Sequence, residues 1–113
     1  MTEQVPFLDM LNNEIDANLQ FVDYAETKVN KRLEKKDQPA TQHFAINKAL
    51  LALEEEQNKA TYTALLNLLV LQLDAYLALS EVHIAAVFRA EIVAVQETLA
   101  SLIKQIAETT ELA

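Results

Sequence analysis

Glycine and cysteine are missing from this chain altogether, and proline occurs only at Pro6 and Pro39. Without glycine, the positive-φ positions of tight hairpins, phosphate-cradling loops and many helix ends lose their usual supplier. A P-loop or a glycine-rich dinucleotide-binding turn is therefore excluded. Without cysteine there is no disulfide framework, no thiol nucleophile and no thiolate-bound metal. The opening residues, Met1 to Pro6, lack the basic start and apolar stretch of a secretory signal, so a soluble, cytoplasmic protein is expected.

What is present favours helix. The 113 residues are 51% hydrophobic and 23% charged, too apolar for a disordered segment and enough for one hydrophobic core. The expectation is a single all-helical domain spanning residues 1–113. Net charge is −8, unevenly spread. Residues 1–26 hold six acids and no Lys or Arg, whereas Lys28, Lys31, Arg32, Lys35 and Lys36 supply five of the nine basic residues. Acid early and base late suits a helix macrodipole, at about 0.3–1 kcal/mol per favourable charge. An acidic chain is repelled by a phosphate backbone, so no nucleic-acid partner is expected.

Pro6 fits the first turn of a helix, where its missing N–H costs nothing. Leu8, Leu11, Ile15, Leu19, Val22, Val29 and Leu33 then recur at three- and four-residue steps, with Ala25 filling a gap. Phe7, Met10, Phe21 and Tyr24 form a second apolar patch, which predicts contact with more than one neighbour. Asp9, Asp16 and Asp23 fall every seventh residue and mark a polar edge. Pro39 breaks the pattern and can open the next helix, which should return antiparallel. A single helix from there to Ala113 would reach about 105 Å, so another turn is needed. Two sites compete. Glu54–Thr61 has no large apolar residue to hold it in a core, and Ser80 can serve as an N-cap. A phase change favours the second: the seam Ala85, Phe88, Ile92, Val95, Leu99, Leu102, Ile106 projects backwards onto Asn67, Asp74 and Glu81, all polar. Three long helices are expected, near 6–36, 39–79 and 81–108, with a further break near 57–61 as the alternative.

Residues 64–79 are apolar almost all round, and such a helix must be covered almost all round. The run is short for a bilayer span and its extension brings in Glu81 beside Asp74, so a membrane location is not expected. Two flanking helices cannot cover every side. The three-helix bundle is therefore expected to be completed by oligomerisation, most simply as a homodimer. The candidate interface is Leu65, Leu69, Tyr76, Phe88, Ile92, Val95, Leu99, Leu102 and Ile106.

Little here points to catalysis. No Glu has His three residues later, as a di-metal carboxylate bundle requires. Glu54, Glu55 and Glu56 are consecutive and fan out around a helix, where magnesium wants convergent carboxylates. His43 and His83 stand without a nucleophile or acid at useful spacing. Tyr24, Tyr62 and Tyr76 are expected in a core or interface with hydroxyls reaching water. Asn18 and Asn67, on or beside apolar seams, either fix register or sit on exposed flanks. The resulting expectation is a non-enzymatic protein–protein interaction module that needs no cofactor or metal and acts as a homo-oligomer. Asp9, Asp16 and Asp23 would form its surface for a basic protein partner. The alternative is a binder of apolar ligands or lipid surfaces through the leucine-rich helix 64–79, and a metal-dependent enzyme using Glu54–Glu56 comes last.

Overall fold

The computed structural model describes residues 6–31, 33, 42–79 and 84–112. Among them every regular element is helical: α1 (Pro6–Asn30), α2 (His43–Glu55), α3 (Lys59–Leu77) and α4 (Ala86–Glu108). Successive helices run antiparallel. Glu26 near the end of α1 meets His43 at the start of α2, and the Gln42 N–H reaches Gln72 near the end of α3. The ammonium group of Lys59, which opens α3, reaches the Ala107 carbonyl at the end of α4. The result is an up-down-up-down bundle in which α3 packs on all three other helices.

The helix expected over 39–79 is two helices, and this is the main correction to the three-helix reading. The break near 57–61 is used, and a second one follows Leu77, where α4 starts at Ala86 instead of the expected 81, with Ala85 and not Ser80 at the N-cap position. The first break arises because Glu54 to Asn58 contribute no large apolar side chain, so packing gives this stretch nothing. Asn58 then starts α3 in a reciprocal cap: its side chain accepts from the Thr61 N–H at 2.9 Å, and its own N–H donates to the Thr61 hydroxyl at 3.0 Å. The second break separates Leu77 from Ala86. Ser80, Glu81 and His83 lie outside the described residues, as do Pro39 and the basic residues Arg32, Lys35 and Lys36. Helix α1 stops at Asn30, short of the expected 36, where the Leu33 N–H bonds to the Asn30 carbonyl and Leu33 tucks into the core.

That extra turn changes how α3 is covered. Three helices surround it instead of two, and Leu65, Leu66, Leu69 and Leu73 are fully buried within one chain. The seam expected between subunits is consequently intramolecular. Leu65, Leu69, Tyr76, Phe88, Ile92, Leu99, Leu102 and Ile106 belong to the chain's own core, with Val95 half-buried against it. The polar stripe projected onto α3 lies where the phase argument puts it: Asn67 and Asp74 are exposed. By length and composition α3 could cross a membrane; here Leu65, Leu66, Leu69 and Leu73 are covered by protein, while Leu71 is exposed.

No described residue has positive φ, so helices end without the left-handed residue that glycine usually supplies. Glu56 and Thr109 leave α2 and α4 in extended geometry. Helix α3 ends through a tighter turn, its last carbonyls taken up by a side chain from α4: the Arg89 guanidinium donates to Leu77 O at 2.6 Å and to Leu79 O at 2.7 Å. Arg89 of α4 and Lys59 of α3 thus each place a cation at the negative end of the other's helix. At the opposite edge, Phe21, Tyr24 and Phe88 cluster with the Lys28 ammonium 4.5 Å from the Phe88 ring centre, tying α1 to α4.

Candidate interaction surface

Asp9, Asp16 and Asp23 are all exposed on α1, and among the described residues no cation pairs with any of them. Seven residues of helix rise about 10.5 Å and return nearly to the same side, so the three carboxylates form a line along the helix. The line flanks the groove between α1 and α2. Asp23 itself lines that groove, opposite His43 and Asn47.

Two cavities occupy the groove and share Leu50. One, of about 280 Å³, has an apolar floor of Leu19, Val22, Ile46 and Leu69. The other, of about 470 Å³, is bounded by Leu8, Leu53 and Tyr62 below and by Asn12, Glu54 and Gln57 above. Polar rims over a leucine floor arise because α1 and α2 each give their strongest apolar face to α3 and only their flanks to one another. Phe44 and Leu51, seven residues apart on the crest of α2, are 82% and 61% exposed. The periodicity of residues 39–79 read as one helix obscured this ridge. Divided at Glu55, the segment places Phe44 and Leu51 off the Ile46, Leu50, Leu53 face, which is the signal that would have found them.

One end of the groove is closed by a hydrogen bond between His43 Nε2 and Glu26 Oε2 at 2.7 Å, with the imidazole half exposed. Seventeen residues separate the two, so no helical spacing announced the contact. Beneath it lie Gln72 and Tyr76 on α3, both fully buried. Gln72 Oε1 accepts the Gln42 N–H at 2.6 Å, while its amide nitrogen and the Tyr76 hydroxyl meet no partner at hydrogen-bonding geometry among the described residues. Burial pushes the Tyr76 phenol up to about 12; the adjacent Gln72 amide opposes this, and the charges of Glu26 and Asp23 reinforce it. Burial also raises Tyr62, against the opposing effect of its 3.0 Å hydrogen bond to Asn12 Oδ1. The expectation of tyrosine hydroxyls reaching water is corrected for both residues, whereas Tyr24 is exposed. Asn18 is buried with its amide bonded to the Glu14 carbonyl of its own helix, and Asn67 is an exposed flank.

Among the described residues the groove sets no nucleophilic hydroxyl against a base. His43 has Glu26 as its partner, and no serine or threonine hydroxyl is hydrogen-bonded to it among the described residues. Glu54 turns to the groove while Glu55 and Glu56 stand exposed away from it; among the described residues no three of His, Asp and Glu converge to hold a metal ion. A roomier concavity, about 670 Å³ on the outer side of α4, is lined by Ala86, Ala90, Val93 and Ala94. Its one cation among the described residues, Arg89, is already committed to the Leu77 and Leu79 carbonyls. No protein-family model, curated protein or solved structure matches the chain.

Proposed function

We propose that this protein is a non-enzymatic helical interaction module that binds a basic protein partner through the acidic edge of α1. The carrying observation is the line of exposed carboxylates at Asp9, Asp16 and Asp23, which no described cation neutralises. Like charges held along one edge repel one another, and a cationic surface relieves that repulsion on docking. The helices behind the edge form a core that buries its own leucines, so the edge is held on a rigid support. The homo-oligomer expectation rested on leucines left uncovered, and the fourth helix removes that need. The apolar-ligand reading rested on the same leucines, of which Leu65, Leu66, Leu69 and Leu73 are fully buried while Leu71 stays exposed.

The test is comparative capture from the source cells, using the intact chain and a variant carrying Asp9→Asn, Asp16→Asn and Asp23→Asn. These exposed substitutions leave the melting temperature nearly unchanged. A protein retained by the intact chain, released by moderate salt and lost with the variant is the expected result. Identical retention by both chains would sink the proposal.

A further inference from the structure

We infer that the occupant of the α1–α2 groove is a basic amphipathic helix, which specifies the class of partner and rests on the interaction-module reading above. The groove has the character this occupant needs: an apolar floor at Leu19, Leu50 and Leu53, with Asp23 on its α1 side at one end and Glu54 on its α2 side at the other. Phe44 and Leu51 extend apolar surface over the crest of α2, beyond what a lone chain requires for its own core. Among the described residues no Lys or Arg lines either cavity, and the one histidine there is paired with Glu26. Electrostatic complementarity therefore calls for a cationic ligand with one greasy face.

The repeat of the carboxylates selects a helix over an extended peptide. Side chains seven apart on a helix stay on one side and advance about 10.5 Å, the same advance as Asp9 to Asp16 to Asp23. An extended strand covers that distance in about three residues, and an odd step puts successive side chains on opposite faces. A helix keeps its cations facing the acidic edge while its apolar residues stay in the groove. A second copy of this chain is disfavoured by its net charge of −8.

The probe is a fluorescent amphipathic peptide of about three heptads, with Leu at a and d and Lys at e and g. A scrambled isomer of the same composition controls for charge alone. Saturable binding is expected, weakening on the order of tenfold when Asp9, Asp16 and Asp23 are all changed to Asn, and weakening with salt. Asn47→Trp, an exposed substitution that fills the groove mouth, should abolish binding without lowering the melting temperature. Methyl resonances of Leu8, Leu19, Leu50 and Leu53 should move on titration. Equal binding of the scrambled isomer, methyl shifts confined to α4, or no saturable binding overturns the inference. So do two other outcomes: the same methyls moving with phosphatidylcholine vesicles and not with the peptide, which assigns the groove to lipid, or a concentration-dependent mass abolished by Asn47→Trp, which assigns it to a second copy. Stripe-dependent capture of a protein that ignores Asn47→Trp would remove the helical seat and leave the module reading standing. Loss of both stripe-dependent capture and peptide binding would remove both.

Discussion

Tyr76 shows how a single buried group makes stability depend on pH. Its phenol is neutral when protonated, and the folded state holds that proton until about 12, against 10.0 for the free side chain. Below pH 10 both states are protonated, and the group contributes no pH dependence. Between 10 and about 12 the unfolded chain has released the proton and the folded chain has not, so unfolding becomes easier as pH rises. The melting temperature of the intact chain should therefore fall through this window, with Tyr62 adding to the drop in the same direction. Tyr76→Phe should flatten the fall and leave stability at neutral pH equal or higher, because it deletes a hydroxyl with no hydrogen-bond partner among the described residues. Thermal melts of the two proteins at neutral and alkaline pH check this; parallel curves would show that Tyr76 titrates as if exposed.

Among the elements, the α2–α3 joint is the one most open to a local test. A glycine-free chain turns there by extended backbone at Glu56 and by the Asn58–Thr61 box. Asn58→Ala removes the acceptor for the Thr61 N–H and should cost about 1 kcal/mol. In urea this is read as a lower midpoint with an unchanged slope, since the surface exposed on unfolding is the same. A loss well below a few tenths of a kcal/mol would mean that α3 packing sets the joint unaided. The joint also shows what periodicity conceals. The gap at Glu54–Asn58 was visible in the sequence, but the phase change near Ser80 competed with it, and the chain uses both. One-dimensional pattern ranks alternatives without revealing that burial of α3 needs them together.

At the scale of the whole molecule, the extra turn lets α1, α2 and α4 of one chain bury Leu65, Leu66, Leu69 and Leu73 of α3. Leu99 is fully buried in the chain's own core. Leu99→Asp places an unpaired charge in that core and should unfold the chain outright, with no folded subunit released, as judged by circular dichroism and sedimentation together. The intact protein should sediment with the mass of one chain, and its net charge of −8 should favour that state at low salt. A folded Leu99→Asp protein of halved mass would instead restore the intersubunit seam.

The sequence by itself determined the material and the faces: helix throughout, the seam of α4, the double apolar surface of α1 and the acidic line at Asp9, Asp16 and Asp23. These follow from local periodicity and from the missing glycine, which act through neighbours a few residues apart. Tertiary structure alone decided how many helices cover α3, and hence that Leu65, Leu69 and Tyr76 face their own chain. It also brought Glu26 to His43 and opened a groove beside the acidic line. Those outcomes depend on residues far apart in the chain competing for the same buried volume, and no pattern along the sequence records which of them meet.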